Sequence, residues 1–168
     1  SIGITLFPEK LQDDPEWVVR RADTALHKLK KQGGNHTLFF DSDMSQFAEE
    51  YFQLERELRK GIVNNELQLY LQSQVDHDGR VIGAEALVRW IHPERGMVSP
   101  ATFIPIAEES DLIVSIDGWV FTRVCELIAQ PHMSSLRVAV NISPRHFRRS
   151  DFVGWVKDIV QKTQTNAH

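Results

Sequence analysis

One cysteine, Cys125, stands among the 168 residues, and a lone thiol excludes an intrachain disulfide. A reducing, cytoplasmic setting is the expectation that follows. Cys125 sits between Val124 and Glu126 in an apolar-periodic stretch, where a thiol behaves as a small core hydrophobe. The seven histidines are scattered, with no HExxH and no cysteine–histidine pair at zinc spacing, so no zinc centre is expected. Basic charge is scarce: 19 Lys and Arg against 23 Asp and Glu leave a net charge of -4. That balance excludes a surface built to coat a nucleic-acid polymer, which needs cations to neutralise phosphates. A small phosphorylated ligand stays open. Long apolar runs are missing as well. Ile113 to Phe121 is among the longest and carries Asp117, short of the ~20 apolar residues of a membrane span.

What is present is ordinary globular material, 42% hydrophobic and 25% charged, enough for a packed core. The opening SIGITLF has no initiator Met or targeting segment and alternates Ile2, Ile4 and Leu6 as a strand. A strand needs neighbours for its backbone, so the chain is expected to begin mid-domain. Asp14-Pro15-Glu16 places a capping acceptor, a proline and an acid at a helix start. That helix carries Val18, Ala22, Ala25 and Leu29 and stops at Gly33-Gly34. Thr37 to Phe40 closes a β-α-β unit too small to bury its own core. Asp41-Ser42-Asp43 opens a second helix in which Met44, Phe47, Tyr51, Leu54, Leu58 and Ile62 recur every three or four residues. Two readings of it stay open: packing against the next domain, or a signal-coupling helix in a homodimer.

From Leu67 the period changes to two, and Asp76-His77-Asp78-Gly79 joins two strands as an antiparallel hairpin. In the second strand Ile82, Ala84, Ala86, Val88 and Trp90 alternate with Val81, Gly83, Glu85, Leu87 and Arg89, so one face must be buried. Ser99-Pro100 starts a helix that Pro105 is expected to kink or break. A further helix starts at Asp111, a strand spans Leu136 to Ile142, and Ser143-Pro144 starts another helix. Strand–helix alternation predicts an α/β domain, mainly parallel apart from the hairpin. Such a sheet or barrel needs more strands than residues 67 to 168 supply, so the chain is expected to end mid-domain too.

Glu85 and Arg89 lie roughly 13 Å apart on a strand rising ~3.3 Å per residue, so each needs a partner other than the other. Charges on an interior face are costly unless paired, and a metal or ligand would resolve that. Asn141 lies near the C-terminal end of its strand, the end where α/β sites gather. A carboxylate and an amide oxygen suit Mg²⁺ or Mn²⁺ rather than zinc. An alternative stays open on spacing alone: cross-strand ion pairs for Glu85 and Arg89, and Asn141 as a helix cap.

The run AEALVRWIHPERGMVSPATFIPIAEESDLI, Ala84 to Ile113, resembles the signature of the EAL-domain family of cyclic di-GMP phosphodiesterases. LQLYLQSQVD, IDGWVFTRVCELIAQ and VAVNISPRHF extend the likeness over roughly residues 52 to 160. Residues 1 to 41, with SIGITLFP and RRADTALHKLKKQGGN, resemble the C-terminal end of a GGDEF diguanylate cyclase domain. The resemblance thus implies a slice across a GGDEF–EAL tandem: residues 1–41 a GGDEF remnant, 42–65 a connecting helix, 66–168 the N-terminal portion of an EAL domain. It implies a partial TIM-like (β/α) barrel with one antiparallel strand, preceded by the β-α-β remnant of an α+β domain.

Residue by residue, the likeness makes Glu85 and Asn141 metal ligands in a two-metal Mg²⁺ or Mn²⁺ site. Arg89 would bind a substrate phosphate, Gln72 and Leu87 would line the pocket, and Asp117 would contact a guanine or be a satisfied helix residue. The implied reaction is hydrolysis of cyclic di-GMP to linear pGpG. Its rivals are a degenerate cyclic di-GMP receptor and a cyclase with a regulatory EAL half. Ser73-Gln74 departs from the family's proline and aliphatic pair. Gly34 replaces a phosphate-contacting arginine of GGDEF domains, while Lys30 matches a lysine. The family's later acidic residues and lysine would follow His168, so the slice alone is expected to be inactive. With strand edges and apolar surface exposed, the isolated 168-residue chain is expected to aggregate. Calorimetry and light scattering check this, and cooperative, monomeric unfolding would contradict it.

Overall fold

The computed structural model describes residues 1–8, 14–31, 33–133 and 135–165, the side chains of residues 31 and 42–48 excepted. Chain contacts divide it into two compact units, Ser1–Leu54 and Glu55–His168.

In the first unit, β1 (Ile2–Ile4), α1 (Pro15–Lys31) and β2 (Thr37–Phe39) make the expected β-α-β, with the strands parallel. Asp14 caps α1 as its sequence implied, Oδ1 accepting the Glu16 N–H at 3.0 Å. Ala25 and Leu29 are fully buried. Gly3 is required by the close approach of β1 to α1, since a Cβ there would run into the Ala22 carbonyl oxygen and Leu26. α2 (Ser42–Val63) starts in this unit, and its Tyr51 ring lies 5.4 Å from the His27 ring of α1. Met44 and Phe47, two of its periodic positions, lie outside the described side chains.

The second unit is organised by a hairpin, β3 (Leu67–Val75) and β4 (Val81–His92). Asp76 builds its turn, Oδ1 accepting the N–H groups of Asp78 and Arg80 at 2.9 Å each. Two further three-residue strands pair with β4: β5 (Gly96–Val98), antiparallel, opposite Trp90–His92, and β6 (Val138–Val140), parallel, opposite Ala84–Ala86. Trp90 pairs with both Leu67 and Val98, and Glu85 with both Gln72 and Ala139. β3 therefore takes one edge of β4, while β5 and β6 share the other.

Helices α3 (Pro100–Glu109), α4 (Leu112–Ile128), α5 (Pro144–Phe147) and α6 (Phe152–Lys162) complete the unit. Its core joins Ala84, Ala86 and Trp90 of β4 to Phe103, Ile106 and Ala107 of α3 and Ile113, Ile116, Val120 and Val124 of α4. Trp90 is fully buried, meets Phe103 edge-on at 5.8 Å and donates from Nε1 to Glu66 at 3.0 Å. Cys125 is buried as expected, and burial pushes its thiol pKa up. Among the described residues no helix is long and apolar enough to cross a membrane.

Three expectations are corrected, and one strand is new. Pro105 does not break α3, which runs on to Glu109; a proline there forfeits one backbone bond, and buried Phe103, Ile106 and Ala107 hold the turn on either side. β5 was not foreseen, because three residues carry no period to read. The strand read from Leu136 to Ile142 is hydrogen-bonded only over Val138–Val140. Ile82 is 58% exposed rather than buried, because it precedes Ala84, where β6 begins to pair.

Replacing Trp90 by Ala empties a fully buried site and leaves Glu66 without its donor. The expected cost is about 3–5 kcal/mol, with a smaller loss of about 1 kcal/mol for Trp90→Phe, which keeps most of the packing. Urea unfolding checks both, and equal losses would show that the indole N–H outweighs the ring.

Candidate functional site

Strand geometry sends alternate side chains to opposite faces, and on β4 it leaves Glu85, Leu87 and Arg89 half-buried while Ala84, Ala86 and Trp90 enter the core. Gln72 and Tyr70 of β3 stand directly opposite Glu85 and Leu87, on the same side of the sheet. The cross-strand neighbours of Glu85 are Gln72 and Ala139, and that of Arg89 on β3 is Gln68. None is charged, so the cross-strand ion-pair alternative fails.

Glu85 is met instead by Asn141, one residue past β6, whose Nδ2 donates to Glu85 Oε1 at 2.7 Å. Two residues 56 apart in sequence, singled out for the same chemistry, are thus brought together. Asn141 is not the helix cap either. Ser143 takes that role, its Oγ accepting the His146 N–H at 3.1 Å at the start of α5. Arg89 holds its guanidinium 5.5 Å from the Tyr70 ring centroid and donates to the Val88 carbonyl at 3.0 Å.

A cleft of about 320 Å³ lies beside this face, lined by Leu87, Arg89, Asp117 and Asn141 with apolar walls from Ile104 and Ile113. Glu85 and Gln72 are not among its lining residues. Asp117, on α4, is only 5% exposed. Its Oδ2 accepts the Ser143 N–H at 3.0 Å and the Ser143 hydroxyl at 2.6 Å, and lies 3.4 Å from His146 Nδ1. Tyr70, Ser143 and His146 were missed in the sequence. Tyr70 could have been found by stepping two residues back from Gln72 along β3. Ser143 was read only as a helix start.

Glu85 and Asn141 offer the hard oxygens that Mg²⁺ or Mn²⁺ prefers. Neighbouring oxygens on Mg²⁺, at 2.0–2.1 Å each, stand about 2.9 Å apart, close to the 2.7 Å between these two side chains. Turning the Asn141 amide over puts Oδ1 where Nδ2 now sits, so the pair fits a cation. Among the described residues no group of three or more His, Cys, Asp and Glu gathers as a metal cage. Mg²⁺ sites are often built from one or two carboxylates plus waters and substrate phosphates.

Residues 55–168 match the EAL domain family. The chain belongs to it. Similar proteins include the cyclic di-GMP phosphodiesterase PdeR of Escherichia coli, 38% identical over 96% of this chain and 25% of that protein. The bifunctional diguanylate cyclase/cyclic di-GMP phosphodiesterase MucR of Pseudomonas aeruginosa is 37% identical over 94% of this chain and 24% of its own length. The chain spans about a quarter of the length of these relatives. Among solved structures, the PaMucR phosphodiesterase in complex with c-di-GMP superposes with a TM-score of 0.63 at 33% identity, covering 67% of this chain and 47% of that one. The cGMP-bound EAL enzyme Bd1971 gives 0.67 at 26% identity, over 93% and 41%. The mixed α/β unit around β4 is therefore part of the TIM-barrel-like EAL architecture.

Tyr70→Leu removes the ring beside the Arg89 guanidinium of this EAL-domain cleft. A cation–π contact of about 0.5–1 kcal/mol predicts a two- to five-fold weaker affinity for a phosphate-bearing ligand, read by calorimetric titration. Unchanged affinity would show that Tyr70 does not orient Arg89.

Proposed function

We propose that this chain carries part of the active site of a cyclic di-GMP phosphodiesterase, which hydrolyses one phosphodiester of cyclic di-GMP to linear pGpG. The 2.7 Å approach of Asn141 to Glu85 carries the reading, and the names of the relatives PdeR and MucR support it. EAL-domain phosphodiesterases depend on divalent metal, and this reading takes two Mg²⁺ or Mn²⁺ ions, held in part by Glu85 and Asn141. Such ions supply an activated water and offset charge on the reacting phosphate when bound.

The chain's own side chains bind and orient the substrate. Arg89, braced on Tyr70, pairs with a phosphate through its planar fork. Leu87 gives an apolar wall and Gln72 an amide on the same side of the sheet. Asp117 has Oδ1 left for a guanine, because its bonds to Ser143 fall on Oδ2. Along β4, Glu85 and Arg89 are separated by about 13 Å at ~3.3 Å per residue, a span that a cyclic dinucleotide bridges.

The same reading makes residues 66–168 the N-terminal portion of the EAL domain, 42–65 a connecting helix and 1–41 a GGDEF remnant. The parallel β1–β2 pair around α1 and a match to the bifunctional MucR over 94% of the chain support the last assignment.

The test is hydrolysis of cyclic di-GMP with Mg²⁺ by the full protein that carries this chain, wild type against Glu85→Ala. Turnover in the wild type, abolished by EDTA and by the substitution, is expected. Binding without turnover in the wild type would make the protein a receptor instead.

A further inference from the structure

β6 leaves its ladder at Val140, the partner of Ala86, so Asn141 stands one residue beyond the last strand pairing. On its other side the backbone is caught again at Ser143. There Asp117 of α4 accepts both the backbone N–H at 3.0 Å and the hydroxyl at 2.6 Å, the second within the range of a charge-assisted bond. The Ser143 hydroxyl also accepts the His146 N–H at 3.1 Å, so it both donates and accepts. All three members are buried, with Asp117, Ser143 and His146 5%, 8% and 3% exposed, so water does not compete for these bonds. The His146 ring is seated 4.2 Å from Trp155 and edge-on to Phe152, which holds the start of α5 in turn.

A buried carboxylate in the apolar stripe of α4 is a poor way to gain stability, since an apolar side chain of similar volume does as well or better. Its value is in where it holds the chain. Asn141 is suspended between two fixed points, Val140 in the sheet and Ser143 bonded to Asp117 of α4, and its amide reaches Glu85 from that span. We propose that Asp117 and Ser143 are positioning residues for Asn141, setting its amide against Glu85 and so the affinity of that pair for a divalent cation. The proposal rests on the phosphodiesterase reading and adds to it two residues that act on the metal-binding pair through Asn141.

The test uses the full protein with Mn²⁺ as the probe, its binding followed by loss of the free-ion electron paramagnetic resonance signal. Wild type, Ser143→Ala, Ser143→Thr and Glu85→Ala are compared. Cyclic di-GMP affinity in EDTA and the urea midpoint are measured alongside. Groups that orient a metal ligand typically govern affinity by about 10–100-fold. Ser143→Ala is accordingly expected to weaken Mn²⁺ at least tenfold while leaving metal-free cyclic di-GMP affinity within about twofold, and Ser143→Thr, which keeps the hydroxyl, to restore most of the loss. The proposal is overturned if Ser143→Ala binds Mn²⁺ as wild type does while Glu85→Ala does not, or if Ser143→Thr is as weak as Ser143→Ala. Parallel loss of Mn²⁺ affinity, metal-free ligand affinity and urea midpoint would also overturn it, since that marks a purely structural role. Absence of Mn²⁺ binding in the wild type would remove the phosphodiesterase reading and the proposal together.

Discussion

The backbone ladder of β4 is the constraint on which the second unit depends. Among the described residues β3 occupies one edge of β4 along its length, and β5 and β6 divide the other. Because side chains alternate along a strand, one register decides two things at once. It sends Ala84, Ala86 and Trp90 into the core and holds Glu85, Leu87 and Arg89 on the opposite, half-buried face, from which Leu87 and Arg89 line the cleft. A slip of one residue would bury Glu85 and Arg89 and expose Trp90, at the cost of desolvating two charges. Trp90 opposes that slip from both sides, packed on Phe103 and bonded to Glu66.

The ladder also explains how so short a strand as β6 contributes to a site. Three pairings place Val138–Val140 against Ala84–Ala86, and the chain then turns over the cleft through Asn141. Glu85 has no charged neighbour across the sheet, so the incoming amide is what it meets, at 2.7 Å. Four residues further along β4, Arg89 has the Tyr70 ring and a backbone carbonyl near it, which leaves its charge without a carboxylate partner among the described contacts. One strand of alternating residues thus presents a carboxylate met by an amide at one position and a guanidinium four residues further along.

Much of this was legible locally. The period of two in Val81 to Trp90 gave the strand and its faces, Asp76 to Gly79 gave the hairpin turn, and Asp14-Pro15 and Ser143-Pro144 gave helix starts that the structure contains. Glu85 and Asn141 were readable as hard-ligand candidates, but their contact was not, since it spans 56 residues and depends on which strand pairs with β4. The bond from Ser143 to Asp117 was hidden for the same reason. β5 escaped because a strand of three residues has no pattern of its own and exists only where Trp90–His92 offers a partner. Pro105 misled because propensity describes an isolated helix, whereas Phe103, Ile106 and Ala107 are buried on either side of it and tertiary packing outweighs one missing backbone bond.

Anomalous diffraction from crystals of the full protein grown with Mn²⁺ and cyclic di-GMP tests the central claim most directly. The account predicts a manganese peak bonded to a Glu85 carboxylate oxygen and to Asn141 Oδ1, with the Asn141 amide turned over and Arg89 on a phosphate. A peak elsewhere, with Asn141 Nδ2 still donating to Glu85, would contradict it.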